Sequence, residues 1–167
     1  MDGRRRAIEC NIFKADNLKL LMYLAGGGFQ TGCVTEIAGQ SGVGKTQLCL
    51  QLCANVQLPE IIGGMNGQCV YFDCNGGFST KRLKEICRPA QEMAVNVMRD
   101  MKENVLELQQ KNFLNGVFYR RIIDISDFQK ALDQLVTVVL PNNESVKLLI
   151  VDRYVYLSNC YLVYFSK

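Results

Sequence analysis

The feature that most constrains this chain is the stretch GQSGVGKT at residues 39–46. It follows an apolar, β-prone run (CVTEIA, 33–38) and leads into a helix-like run (QLCLQLCANVQ, 47–57). Glycines at this density let the backbone curl closely around an anion and point consecutive N–H groups at it. A helix that begins at the same point adds the positive end of its dipole. The order of strand, glycine-rich turn and helix therefore predicts a phosphate-binding loop.

The side chains of this loop predict a nucleotide as its ligand. The pattern G-x-x-x-x-G-K-[ST] is filled at every fixed position, by Gly39, Gly44, Lys45 and Thr46. In this pattern the lysine reaches the β- and γ-phosphates, and the hydroxyl coordinates Mg²⁺. We therefore predict ATP with Mg²⁺ as the ligands. The predicted binding residues are Gly39, Gln40, Ser41, Gly42, Val43, Gly44, Lys45 and Thr46.

A carboxylate at the end of a second buried strand is expected to complete the metal site. The run LLIVD ends in Asp152, after an apolar strand predicted over 146–152. An aspartate at a strand end without any metal role is the plain alternative. The order of the elements favours Thr46 and Asp152 as the metal ligands. Asp73, which also ends an apolar strand, is the rival for the same role.

Strands and helices alternate along the rest of the chain. Strands are predicted at 33–38, 68–74, 117–123 and 146–152, and helices at 17–24, 45–57, 79–87, 90–111 and 127–140. Pro89 is expected to separate two of these helices, and Ser126 with Gln129 forms a capping box for the last. Near-continuous apolar strands that alternate with helices are typical of an α/β fold with a mostly parallel sheet.

Composition excludes several kinds of site. The chain of 167 residues has no histidine, which excludes Ser-His-Asp and Cys-His nucleophile pairs. None of the eight cysteines forms a C-x-x-C pair, so a zinc site would need scattered thiolates or carboxylates. Buried, reduced thiols are the favoured interpretation. A net charge of +3 permits nucleic acid as a partner without arguing for it.

Neither end of the chain predicts contact with a membrane. Residues 1–10 are polar and basic and lack the apolar core of a signal peptide. The apolar run 146–165 is interrupted by Lys147, Asp152 and Arg153, which argues against a membrane span.

The residues around the glycine-rich loop are more specific than the loop itself. Residues 26–52 (GGGFQTGCVTEIAGQSGVGKTQLCLQL) and 56–83 (VQLPEIIGGMNGQCVYFDCNGGFSTKRL) resemble the RecA/RadA recombinase family in its eukaryotic form. The G-G-x-x-T-G lead-in, T-E-I before the loop and G-K-T-Q-L-C after it carry the match. The resemblance implies an α/β P-loop NTPase of RecA type, with helices flanking a mostly parallel sheet.

One departure from the family lies after the second predicted strand. The strand-exchange enzymes have Asp-Thr-Glu-Gly there, and the glutamate activates the attacking water. This chain has Asp73-Cys74-Asn75-Gly76, so Asn75 stands at the general-base position. An amide cannot accept the proton. The chain therefore resembles a paralogue of the Rad-fifty-one group, for which ATP binding is implied and hydrolysis is doubtful, and no catalytic residue is assigned.

The second departure concerns the end of the chain. The family core continues well past the strand that ends in the metal-binding aspartate, whereas residues 153–167 (RYVYLSNCYLVYFSK) do not resemble that continuation. We therefore predict an incomplete core, with a lead-in at 1–24, a partial ATP-binding core at 25–152 and a divergent apolar tail at 153–167. An alternative transcript or gene-model end is the favoured origin of the tail. A genuine replacement strand is the alternative.

The resemblance implies a nuclear mediator of homologous recombination and DNA double-strand break repair. Its partners would be other recombinase paralogues or the recombinase itself, whose filament on single-stranded DNA it would assist. One alternative is an independent DNA-dependent ATPase, and another is a truncated interaction fragment without a nucleotide role. A generic phosphate-loop kinase fits the flanking residues less well. The basic residues near 81–88 and 120–121 are interpreted as solvated, so DNA contact is expected to be weak or indirect.

Overall fold

The computed structural model of the chain describes residues 6–9, 29, 31–38, 40–152 and 161–165. The predicted helix at 17–24 and the predicted phosphate contact at Gly39 lie outside these residues.

Strands of the described residues form one mixed sheet. They are β1 Arg6–Glu9, β2 Val34–Ala38, β3 Gln68–Asp73, β4 Val117–Arg121, β5 Val146–Asp152 and β6 Tyr161–Phe165. Their spatial order is β1-β2-β6-β5-β3-β4. β1 pairs in parallel with β2, and β3 pairs in parallel with both β4 and β5. β6 is antiparallel to its neighbours β2 and β5. The predicted α/β fold with a mostly parallel sheet is therefore confirmed.

Helices connect and cover these strands. They are α1 Lys45–Asn55, α2 Thr80–Asp100, α3 Leu106–Gln110, α4 Ile125–Gln134 and α5 Leu140–Asn142. A π-helical turn at Leu135–Val139 joins α4 to α5, and 3₁₀ turns lie at Glu60–Ile62 and Phe113–Gly116. None of the described helices is long and apolar enough to cross a membrane.

The sheet buries side chains on both faces, as its apolar strands require. Along β3, Cys69 and Tyr71 join the cluster packed with α1 and α2. The alternate residues Val70 and Phe72 join a second cluster with Ala131 of α4. This alternation is the period of two expected for a strand, and burial of both faces explains why the strand sequence is nearly all apolar. The packing fixes the carboxyl ends of β3 and β5 beside the amino end of α1.

The predicted break at Pro89 is wrong, because α2 runs without interruption through this residue. A proline in a helix interior removes one hydrogen bond and costs about 3 kcal/mol. The helix nevertheless continues since its apolar positions keep their phase across Pro89. Ile86, Cys87, Ala90 and Ala94 are all buried in the main core cluster, two before the proline and two after it.

The predicted continuous helix over 90–111 is wrong in its middle part, because α2 ends at Asp100 and α3 begins only at Leu106. Lys102 adopts a positive φ of 61°. The N–H of Glu103 then bonds to the carbonyl of Met98 at 2.9 Å, and the N–H of Lys102 bonds to that of Arg99 at 3.0 Å. This pair of hydrogen bonds is a Schellman motif, which satisfies the last carbonyls of the helix.

The predicted capping box at Ser126 is replaced by a cap two residues earlier. Asp124 is the N-cap of α4, and its Oδ1 accepts the N–H of Asp127 at 2.8 Å. Asp127 in turn accepts the N–H of Ile123 at 3.2 Å. Aspartate is as good an N-cap as serine, and starting the helix here also places a negative charge in its first turn.

Two strands of the sheet lie outside the four that the sequence predicts, and one of them falls in the tail, where a replacement strand was the alternative. β1 lies in the segment interpreted as a polar lead-in, and it pairs with β2 at the edge of the sheet. β6 lies in the tail, residues 153–167, and it occupies the position between β2 and β5. Residues 161–165 therefore form a strand of the sheet, as the alternative interpretation of the tail predicted.

The continuous α2 predicts that Pro89→Ala stabilises the protein. Alanine restores an N–H inside the helix and removes the ring from an exposed position, with an expected gain of about 1–2 kcal/mol in the free energy of unfolding. Urea denaturation measures it, and Lys84→Ala, also exposed on α2, is the control expected to change little. A loss of stability in Pro89→Ala would contradict a continuous helix.

Candidate phosphate and metal site

The glycine-rich loop has the backbone conformation of an anion site. Gly42 and Gly44 have φ values of 84° and 97°, in the left-handed region that favours glycine. Gly44 is also the N-cap of α1, so it has no side chain with which to cap the helix. The first N–H groups of α1 and the positive end of its dipole therefore face the loop, which is the arrangement that binds phosphate.

Lys45 is held inside this loop. Its residue surface is only 6% exposed. The Nζ atom donates a hydrogen bond to the carbonyl oxygen of Gln40 at 2.8 Å and lies 5.4 Å from the centre of the Tyr161 ring. The ammonium group is thus positioned at the mouth of the turn rather than in solvent. The neighbouring loop residues Ser41 and Gly42 are exposed.

Thr46 and Asp152 meet at the carboxyl end of the sheet, as the sequence predicts for a metal site. The Thr46 hydroxyl donates to Asp152 Oδ2 at 3.4 Å. A second donor, the hydroxyl of Tyr71, reaches the same oxygen at 2.5 Å. Asp152 is 1% exposed. Burial raises its pKa, and the hydrogen bond from Tyr71 opposes that shift.

The other oxygen of Asp152 is the atom that tests whether Mg²⁺ fits. Asp152 Oδ1 is buried and has no hydrogen-bond partner among the described residues. An unpaired buried carboxylate oxygen is costly, so it needs an explanation. Mg²⁺ prefers oxygen ligands of this kind, held by few protein groups and several waters. The residues present therefore fit a magnesium ion at Thr46 and Asp152.

Asp73, the rival ligand, is occupied by the protein itself. Its carboxylate accepts hydrogen bonds from the backbone N–H groups of Asn75, Gly76, Gly77 and Phe78. It also accepts from the Tyr119 hydroxyl at 3.2 Å and pairs with Arg121 at 3.1 Å. A carboxylate with this many donors is a structural anchor. It fixes the turn after β3, and the metal role is left to Asp152.

That turn brings Asn75 to the metal site. A Cβ placed on Gly77 would lie 3.9 Å from each of three atoms, Asn75 Nδ2, Thr46 Oγ1 and Asp152 Oδ2. The three side chains therefore surround one small volume. Asn75 is exposed, and its amide has no basic atom with which to activate water.

Two tyrosines that were not predicted from the sequence, Tyr71 and Tyr161, contribute to the site. Tyr71 is buried in β3. A buried tyrosine hydroxyl needs a hydrogen-bond partner, so a tyrosine within an apolar strand already indicates a polar contact nearby. Tyr161 lies on β6, 7% exposed, with its hydroxyl 3.0 Å from Thr46 Oγ1. Burial raises the pKa of Tyr161 to about 12, so its hydroxyl is protonated at neutral pH. No sequence signal placed β6 beside the loop.

The cysteines of the described residues form no metal centre. No group of three or more Cys, Asp or Glu side chains in this part of the chain is arranged to hold a metal ion. Cys53 and Cys69 are fully buried free thiols with their sulfurs 3.4 Å apart. Burial raises the pKa of Cys53, and that of Cys87 to about 12. Thiols in this state are unreactive at neutral pH.

The fold and the loop together define a P-loop NTPase domain of RecA type. The Rad51 family model matches residues 15–166 of the chain. The chain therefore belongs to the Rad51 family, within the RecA/RadA recombinases. The matched range includes β6.

Two curated relatives support the same family assignment. The chain is 34% identical over 166 residues to the DNA repair and recombination protein RadA of Aeropyrum pernix, covering 91% of this chain and 46% of that protein. It is 34% identical over 129 residues to the RadA protein of Metallosphaera sedula, covering 77% of this chain and 35% of that protein. The chain thus spans less than half the length of these curated relatives.

The Tyr71–Asp152 contact predicts a specific loss of stability in Tyr71→Phe. Removing a donor to a buried carboxylate is expected to lower the free energy of unfolding by about 1–3 kcal/mol. Urea denaturation measures the loss, and Tyr164→Phe, at an exposed position of β6, serves as the control.

The same substitution in an Asp152→Asn background completes a double-mutant cycle. The loss from Tyr71→Phe should shrink there, because the charged acceptor is gone. An equal loss in both backgrounds would show that the tyrosine stabilises the core without acting on Asp152.

Proposed function

We propose that this chain binds ATP with Mg²⁺ and acts as a nuclear recombinase paralogue in homologous recombination and DNA double-strand break repair. In this role it is a mediator within a complex that assists the recombinase filament on single-stranded DNA. Family membership and the names of the RadA relatives support the recombination role. The observation that carries nucleotide binding is the meeting of Thr46 with the half-satisfied Asp152 beside the glycine-rich loop.

Each group of the site has a distinct task in this proposal. The N–H groups at Gly42, Gly44 and the start of α1 bind phosphate oxygens. Lys45 moves its ammonium group from the Gln40 carbonyl to the phosphates. Bound Mg²⁺ supplies positive charge that neutralises the phosphates. Thr46 and Asp152 hold the ion, and Tyr71 keeps the carboxylate oriented.

ATP serves mainly as a conformational ligand in this proposal. The turn that carries Asn75 lies against the metal site through Gly77, so a bound nucleotide would bear on its position. Asn75 gives no general base, which argues against efficient turnover and against an independent DNA-dependent ATPase. A ligand that binds one arrangement of this turn better than another shifts the population toward it.

The free edge of the sheet supports a partner of related structure. β4 is a terminal strand of the described sheet and pairs only with β3 there. Its residues Phe118 and Tyr119 are 43% and 47% exposed. A strand edge of this kind is a template for pairing with a segment of another chain. Other recombinase paralogues or the recombinase itself are the partners we propose for it.

Direct DNA contact is the weaker part of the proposal. Arg82 and Arg88 of α2 form ion pairs with Glu85 and Glu92. Arg121 pairs with Asp73, and Arg120 pairs with Asp127 at 2.7 Å. Arginines engaged in this way have less positive charge to offer a phosphate backbone. Contact with single-stranded DNA is therefore proposed as weak or indirect.

A second candidate is an interaction fragment without a nucleotide role. The observation that favours it is a stripe of exposed apolar side chains at four-residue spacing, formed by Met93 and Val97 of α2 and by Met101, the C-cap residue of that helix. Residues at this spacing lie on one face of a helix. Such a face fits a protein partner whether or not ATP binds.

Lys45→Ala tests the nucleotide role directly. We expect a fluorescent ATP analogue with Mg²⁺ to bind the purified chain, and Lys45→Ala to bind about 10- to 100-fold more weakly through loss of a charge-assisted contact. Lys84→Ala, exposed on α2, should bind like the wild type. A chain that is folded by circular dichroism yet binds no analogue would leave only the interaction-fragment candidate.

Asn75→Glu tests the assignment of the general-base position. A carboxylate there should raise the rate of phosphate release from MgATP at least about tenfold over Asn75→Gln, since positioned general bases contribute about 10²–10⁴. Asn75→Gln controls for side-chain length. Equal turnover in the two variants would mean that position 75 does not face the attacking water.

A further inference from the structure

The tail strand β6 places a side chain directly in the candidate metal site. Leu162 pairs with Val151 of β5, and Tyr161 pairs with Ile37 of β2. This register puts Tyr161 level with Asp152, at the end of the sheet where the glycine-rich loop begins. The Tyr161 hydroxyl lies 3.0 Å from Thr46 Oγ1, and its ring lies 5.4 Å from the Lys45 ammonium. One residue therefore contacts both side chains predicted to serve nucleotide and metal.

The direction of the Tyr161–Thr46 hydrogen bond follows from counting hydrogens. A threonine hydroxyl has one hydrogen and two lone pairs. Thr46 gives its hydrogen to Asp152 Oδ2. The Tyr161 hydroxyl then donates to Thr46 Oγ1 when both bonds form, and the Asp152 carboxylate is the second acceptor within its reach. The tyrosine hydrogen thus points at the oxygen that is expected to coordinate Mg²⁺. Because the hydrogen end of the O–H dipole is positive, it competes with the cation for the lone pairs of that oxygen.

Lys45 is likewise engaged within the chain. Its ammonium group donates to the Gln40 carbonyl of its own loop and lies over the Tyr161 ring. A phosphate must draw the ammonium away from both. Tyr161 of β6 therefore lies against both side chains that are expected to bind the ligands, Lys45 through its ring and Thr46 through its hydroxyl.

We propose that Tyr161 is a positioning residue that acts through Thr46, and that its hydroxyl must be displaced before Mg²⁺ binds at Thr46 and Asp152. The inference rests on the proposed function. It adds that a tail residue regulates Mg²⁺ binding at the same site. Removing the hydroxyl while keeping the ring should then favour the metal-bound loop. The competing hydrogen bond is ordinary in strength, so the expected gain is about two- to tenfold in affinity.

The test is a Mg²⁺ titration of fluorescent ATP analogue binding to the full chain, with Tyr161→Phe compared against the wild type. Phenylalanine keeps the aromatic packing and removes only the hydroxyl. We expect half-saturation at a two- to tenfold lower Mg²⁺ concentration, with analogue affinity in EDTA unchanged. Tyr164→Phe is the matched control, since the Tyr164 side chain is exposed on the same strand. It should titrate like the wild type.

A second pair of variants shows whether the effect passes through Thr46. Tyr161→Phe introduced into Thr46→Ala should give no gain in Mg²⁺ affinity, because the shared oxygen is absent. A gain that persists in this background would overturn the proposal, as would a Tyr161→Phe chain that needs as much Mg²⁺ as the wild type, or more.

Failure of the proposal is distinguishable from failure of the proposed function. If the wild type binds the MgATP analogue and Tyr161→Phe brings no gain, the inference fails and the nucleotide role stands. If both chains are folded by circular dichroism and neither binds at any Mg²⁺ concentration, the nucleotide role and the inference fail together.

Discussion

A buried carboxylate must be supplied with partners, and the carboxyl end of this sheet is arranged around that requirement at Asp152. Tyr71 reaches it from β3 and Thr46 from the start of α1, so two elements distant in sequence are tied to the end of β5. The remaining oxygen has no partner among the described residues. A divalent cation is the ligand that best completes this arrangement, because it supplies charge as well as coordination.

The two aspartates at adjacent strand ends show how neighbouring groups of one type acquire different roles. Asp73 and Asp152 pair in register on β3 and β5, and both are 1% exposed. Four backbone N–H groups, a tyrosine and an arginine saturate Asp73, so it shapes the turn after β3. Asp152 receives hydroxyl donors on one oxygen only. The structural aspartate thereby holds Asn75 close to the aspartate that is available to metal.

Local patterns predicted what depends on local chemistry, and failed where distant segments decide. The loop, β3, β5 and the Thr46–Asp152 pair follow from glycine spacing and apolar runs. The prediction of a break at Pro89 was wrong because the packing of α2 on α1 outweighs the free-energy cost of a proline inside a helix. β6 has strand-forming residues, but its place between β2 and β5 depends on sheet order, which no single stretch encodes. Tyr161 was missed for the same reason, since its contact with Thr46 exists only in that order.

The central claim is that Thr46 and Asp152 act together on one Mg²⁺ ion. The direct measurement is isothermal titration of nucleotide, with and without Mg²⁺, on Thr46→Ala, Asp152→Asn and the double variant. We predict that either substitution removes most of the Mg²⁺-dependent gain in affinity, and that the double variant loses little more than each single one. Losses that simply add, or a Mg²⁺ dependence that survives in the double variant, would place the ion elsewhere and contradict the account.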